Sequence, residues 1–308
     1  MTTSEQQPDR PWIKWIIIPV GLILMYALKL RERLYRYRPE PMEQQYGEPG
    51  PYRSASLVVN DENGAPLYKL IYPENRNDAC PIVIWGNGTN AQPEHYEGLL
   101  AHLATWGFTV VGNYCLTTGT GKEIAETVRY VVKENAREAS PFYRKLLVDS
   151  IGLVGQSQGA TGVLNANKYL EHPPQTVVTI ALPALRWCDP KDVYDVKTLP
   201  TSLFIMAGTH DVMISPKSTN MNAFLNVRAG QPAVMAMTKA AGHLESMGSG
   251  GMHRGYLTAW LRYRLAGDNN AAAVFAGKQP ELHRNKGWKH IRTQNMNAPN
   301  IQEEGNNK

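Results

Sequence analysis

The chain has 308 residues, 43% hydrophobic and 19% charged, which supplies one large core and excludes a chain disordered throughout. With 26 glycines and three cysteines it is neither collagen-like nor a disulfide scaffold. Of the net charge of +5, residues 1–40 carry +3 (seven Lys/Arg against four Asp/Glu), so the body is nearly neutral, which argues against a nucleic-acid partner.

Residues 1–11 read as a polar tail. The run Trp15–Leu28 (WIIIPVGLILMYAL) carries no charge, and Lys14 and Lys29 bracket it. Fourteen residues fall short of the ~20 that span hydrocarbon, but snorkelling lysines extend the segment to 12–30, a marginal transmembrane or signal-anchor helix. Trp12, Trp15 and Tyr26 suit the membrane interface. The following MYALKLRERLYRYR offers no small-residue cleavage site, so an uncleaved single-pass anchor is favoured over a signal peptide. Lys29, Arg31, Arg33, Arg36 and Arg38 outnumber Arg10 and Lys14, which places the catalytic domain in the cytoplasm. Export after cleavage is the alternative. Residues 31–53 read as a basic, Pro-rich linker, because four prolines and two glycines between Pro39 and Tyr52 bar regular structure.

The body, residues 54–267, alternates strands and helices. Ser54–Val59 and Leu67–Tyr72 flank Asn-Asp-Glu-Asn-Gly, a hairpin signal. Further strands are expected at Pro81–Trp85, Phe108–Gly112, Ile151–Gly155, Thr176–Leu182, Ser202–Ala207 and Ala233–Met237. Helices are expected at Leu99–Thr105, Glu123–Glu134, Thr161–Leu170 and Tyr256–Leu265. This order predicts an α/β fold, a mostly parallel central sheet with helices on both faces. Residues 268–308 are polar and read as a C-terminal extension, partly disordered.

Gly155-Gln156-Ser157-Gln158-Gly159 carries the sharpest chemical signal. It is G-x-S-x-G directly after an apolar strand and before a helical run, the context of a nucleophile elbow. Such a serine needs a base, and the base needs an orienting carboxylate. In this kind of sheet they follow in the order serine, acid, histidine. Asp211 follows the strand-like SLFIMAGTH and His243 follows AVMAMTKAAG, both past the carboxyl ends of strands, where open α/β sheets build sites. His210 adjoins the acid and turns back onto it with difficulty. His253 is a fallback base, while His283 and His290 lie further on. Asp189 and Asp192 come one strand early as acids, and Glu245 sits too close to His243 to be the obvious orienter. The tetrahedral oxyanion needs fixed N–H donors: the backbone of Gln158, next to the nucleophile, and of Thr89, in Gly86-Asn87-Gly88-Thr89. No cofactor motif is recognised. Thr118–Lys122 fails the phosphate-loop pattern because Leu116 and Glu123 stand where Gly and Ser/Thr are required. Cys80, Cys115 and Cys188 have no metal-ligand spacing, and Cys115 and Cys188, each after a strand, leave a pairing open.

The segments IVIWGNGTNAQPEHYEGLLAHLATWGFTVVG, GQSQGA, AGTHD and AAGHLE resemble the α/β-hydrolase superfamily over roughly residues 54–265. They are similar to the branch of cutinase-like polyester hydrolases, chlorophyllase-like and dienelactone-hydrolase-like esterases. The resemblance implies an α/β-hydrolase fold, carboxylic ester substrates, Ser157 as nucleophile, His243 as base, Asp211 as its orienter, and an oxyanion hole from Thr89 and Gln158. The sequence departs from the polyester hydrolases where Gln156 and Gln158 replace His and Met, and where Thr89 replaces an aromatic residue. Pro280 and His283 stand where related esterases carry a cysteine pair, which suits a reducing compartment. The resulting expectation is a membrane-tethered serine hydrolase taking a small-molecule or lipid-like ester. A thioesterase, an acyltransferase and a non-catalytic binding module are the alternatives.

Overall fold

The computed structural model describes residues 38–296, so the expected tail and hydrophobic helix at 12–30 lie outside the described residues. Pro39 begins the compact unit that holds every element below. Its elements are α1 (Pro41–Gly47), β1 (Ser54–Asn60), β2 (Pro66–Pro73), β3 (Cys80–Gly86), α2 (Glu97–Thr105), β4 (Thr109–Asn113), α3 (Lys122–Ala136), β5 (Leu146–Gln156) and α4 (Gln158–Asn165). There follow β6 (Thr176–Ile180), β7 (Ser202–Gly208), α5 (Lys217–Leu225), β8 (Ala233–Thr238), α6 (Arg254–Ala266), α7 (Asn269–Phe275), α8 (Glu281–Arg284) and β9 (Trp288–Gln294).

The nine strands form one sheet in the order β1-β2-β4-β3-β5-β6-β7-β8-β9. β4, β3, β5, β6, β7 and β8 are parallel; β1, β2 and β9 add antiparallel edges. Every residue of β3, β6, β7 and β8 is buried, as strands covered on both faces require. Alternate side chains feed opposite cores. Val83 and Trp85 pack with α2, α6 and α7, whereas Ile82 and Ile84 pack with α3 and α4. The fold class expected from the alternation is therefore the one found. After β3 the chain adds β4 on one side, then returns to place β5 on the other. That reversal is a topological switch point at the carboxyl ends of β3 and β5, where Gly86 pairs with Gly155 and where open α/β sheets place their sites.

Both ends of the body differ from the sequence expectation. The supposed linker contains α1, because Pro41 occupies the first turn, where its missing N–H costs nothing. Tyr46 and Glu43 of α1 are buried, and Tyr46 packs on Trp106 at 5.0 Å. At the other end the expected boundary at 267 falls inside the fold. α7, α8 and β9 follow, and β9 pairs with β8 over Ala233–Thr238. The anchoring apolar residues Val274, Phe275, Leu282 and Trp288 are buried but sparse, so the segment's average polarity conceals them. α5 has no counterpart in the sequence expectation, because its apolar residues lack a clear helical period.

Candidate active site

Ser157 sits between β5 and α4 with φ 55° and ψ −120°, a backbone state rare for a residue with a Cβ. The turn is held by Ser157 N–H donating to the Ile180 carbonyl at 2.9 Å and by the Ser157 carbonyl accepting from Ala160 N–H at 2.8 Å. Its tightness dictates the flanking glycines. A Cβ on Gly155 would lie 2.1 Å from the Gly159 carbonyl oxygen, and one on Gly159 would lie 2.0 Å from that of Gly86.

Asp211 follows β7 and His243 follows β8. The two loops are stitched together: His210 N–H donates to the Ala241 carbonyl at 2.9 Å, and Ala240 N–H donates to Thr209 Oγ1 at 2.9 Å. His243 Nδ1 lies 2.5 Å from Asp211 Oδ2, and His243 Nε2 lies 2.9 Å from Ser157 Oγ. Asp211 is buried, and its Oδ1 accepts from the N–H groups of Ile214 and Ser215 at 3.3 and 3.1 Å. A carboxylate only accepts, so Nδ1 is the nitrogen that donates to Asp211, which leaves Nε2 to face the serine hydroxyl. His243 remains 18% exposed, so a substrate can reach the pair from solvent.

The two expected N–H donors lie on the segments that follow β5 and β3. Gln158 is the first residue of α4, and Thr89 is exposed in the loop after β3. Among the described residues neither backbone N–H donates to a protein acceptor. The Gly88 carbonyl accepts from Ala91 N–H at 3.0 Å, and peptide planarity then aims the Thr89 N–H the opposite way.

A comparison with known protein families matches residues 31–292 to the family described as PETase, PET hydrolase-like. The chain belongs to this family. As a PET hydrolase-like protein it is a carboxylic ester hydrolase of the α/β-hydrolase superfamily. No curated protein matches its sequence.

Gln156 and Gln158, on either side of Ser157, have structural partners in this PET hydrolase-like chain. Gln158 Nε2 donates to Asp192 Oδ2 at 2.7 Å, so Asp192, an alternative acid in the sequence, instead holds the residue after Ser157. Gln156 is buried between Tyr96 and His243, a connection that sequence reasoning missed because Tyr96 stands 60 positions away. Glu245 accepts from Met252 N–H at 2.8 Å and so folds the loop after His243; burial pushes its carboxyl up. His253, the fallback base, is buried in the core 6.1 Å from the Trp288 ring, and burial lowers it to about 4. His283 and His290 lie on α8 and β9. All three cysteines are free. A groove of about 480 Å³ lined by Val132, Asp149, Tyr169 and His172 opens at the amino ends of the strands, away from Ser157.

Proposed function

We propose that Ser157, His243 and Asp211 form the catalytic triad of this ester hydrolase and that the reaction passes through an acyl-enzyme. The observation that carries the reading is the continuous line from Asp211 Oδ2 through His243 to Ser157 Oγ, at 2.5 and 2.9 Å. Ser157 Oγ attacks the ester carbonyl carbon while its proton passes to His243 Nε2. Asp211 holds the ring and balances the imidazolium charge. The tetrahedral oxyanion is received by the N–H groups of Thr89 and Gln158, each such donor being worth about 10²–10³ in rate. His243 returns the proton to the leaving alcohol. Water, deprotonated by the same nitrogen, then attacks the acyl carbon and frees Ser157.

The reading extends to the substrate and to the membrane. Leu116, Trp187, Val212, Met213 and Leu244 are exposed on loops at the carboxyl edge of the sheet, and three of them directly follow Asp211 or His243. Such an apolar rim around a polar centre suits a small-molecule or lipid-like ester with an apolar acyl or alcohol group. Trp187 is held in place by donating from Nε1 to the Met213 carbonyl at 2.9 Å. The uncharged run Trp15–Leu28 supports a single-pass tether, and the Lys/Arg excess on its C-terminal side supports a catalytic body in the cytoplasm. Among the described residues no helix is long and apolar enough to cross a membrane.

The test is hydrolysis of p-nitrophenyl esters from acetyl to palmitoyl by the detergent-solubilised chain, beside Ser157→Ala. Turnover that vanishes in the variant is expected, and its chain-length optimum measures the cleft. Turnover that survives in the variant removes Ser157 as nucleophile.

A further inference from the structure

We infer that Gln156 is a positioning residue that locks the histidine loop to the oxyanion loop through Tyr96. The inference rests on the reading of Ser157, His243 and Thr89 given above. Gln156 ends β5, one residue before the nucleophile, and is 1% exposed. Its Nε2 donates to the His243 carbonyl at 3.0 Å, and its Oε1 accepts from the Tyr96 hydroxyl at 2.8 Å. Tyr96 Oη in turn accepts from Gly88 N–H at 3.1 Å. One chain of hydrogen bonds thus begins on the peptide next to Thr89 and ends on the backbone of the base.

Several features make this chain specific. The orientation of the Gln156 amide is determined, since the His243 carbonyl accepts only and must face the NH₂ end. Every donor points in the same sense, from Gly88 to Tyr96 to Gln156 to His243, so each bond polarises the next. Tyr96 is fully buried, and burial pushes its hydroxyl up to about 12, so it remains a neutral donor at working pH. The close approach requires glycine at position 88, where a Cβ would lie 2.5 Å from Gln156 Oε1. With water excluded, a lost partner is not replaced.

The two ends of the chain hold groups that must be in register when the oxyanion forms: the Thr89 N–H and the His243 ring. The rest of the histidine loop has its own ties, Ala240 and Ala241 to the loop of Asp211 and Gly248 N–H to the His95 carbonyl at 2.7 Å. Gln156 is the side chain that reaches His243 from the nucleophile's own strand. It acts through these groups and does not touch the reacting atoms.

The test compares Gln156→Met, similar in length but without the amide, with Tyr96→Phe, which removes the hydroxyl and keeps the ring against Trp85. The readouts are kcat and KM on p-nitrophenyl butyrate and the rate of inactivation by a fluorophosphonate, which requires both the nucleophile and the oxyanion donors. Gln156→Met is expected to lower kcat about 10- to 100-fold with KM within about twofold, and to slow phosphonylation by the same factor. Tyr96→Phe is expected to lower kcat about tenfold, and the double variant to be no slower than Gln156→Met. A folded Gln156→Met with kcat within about twofold of the parent overturns the inference, as does a rise in KM in place of the fall in kcat, or effects that multiply in the double variant. If Gln156→Met does not fold, Tyr96→Phe decides by the same criteria. Ser157→Ala run alongside separates the two readings. Activity surviving there overturns the nucleophile, whereas its loss there beside a fully active Gln156→Met overturns the positioning role alone.

Discussion

Asp211 and Glu43 are both buried carboxylates, each 4% exposed, and they end in different chemistry. Asp211, at the carboxyl edge of the sheet, accepts from two backbone N–H groups and faces His243, whose ring in turn reaches Ser157 Oγ. Glu43, on the flank, accepts from Trp288 Nε1 at 2.8 Å and Asn285 Nδ2 at 2.6 Å, partners that do not titrate. A second carboxylate, Glu281, lies beside it, bonded by the N–H groups of Met42 and Glu43 and by the Tyr256 hydroxyl. Burial first, and the charge of Glu281 second, push Glu43 up to about 7. The contrast teaches that burial and hydrogen bonds make a clasp, while a histidine partner and a strained serine within reach of solvent make a candidate site.

Substitutions on the two sides sharpen this contrast. Ser157→Ala is expected to lower kcat by about 10⁵–10⁶ and leave the melting temperature unchanged; steady-state kinetics and calorimetry check both. Asp211→Asn is expected to cost about 10⁴ in kcat, because the wrong tautomer of His243 then faces the serine. On the flank the pattern inverts. Trp288→Ala removes a fully buried ring and the donor to Glu43, and is expected to destabilise by about 3–5 kcal/mol in urea titrations while activity per folded molecule stays within about twofold. A fall in kcat matching that of Asp211→Asn would break the comparison.

Glu43 gives the smallest effect, and its sign follows from its raised value. The folded state holds the proton more tightly than the unfolded chain. Its contribution is therefore fully present below about 4.5 and is lost as pH rises to about 7. Parent stability is expected to fall by an amount on the order of 2–3 kcal/mol across that window relative to Glu43→Gln, whose own curve is flatter there. Melting curves at intervals of pH measure the difference, and parallel curves would remove Glu43 as its source.

Much of the central sheet was legible because fully buried parallel strands leave short apolar runs such as PIVIW and SLFIMA. The elbow was legible because a turn this tight admits little but glycine two residues either side of Ser157. Asp211 and His243 were reachable by order alone, each standing just past a strand. The Gln156–Tyr96 bridge was not, since it joins residues 60 apart through side chains that look ordinary in either local context. The ends of the body were missed for a related reason. In β9 a strand needing one apolar face reads WKHIRTQ, and in α1 a proline that opens a helix reads as one that forbids it.

The clasp on the flank also orders events during synthesis. Its bonds join residues 238 to 245 positions apart, Glu43 to Glu281, Asn285 and Trp288. At the usual 5–20 residues per second, α1 waits about 12–50 s between its own translation and that of its last partner. Between the synthesis of β8 and that of β9 the outer edge of β8, opposite β7, has no neighbour. β9 therefore closes an edge that would otherwise be open to aggregation, and a chain cut after residue 267 keeps that edge exposed.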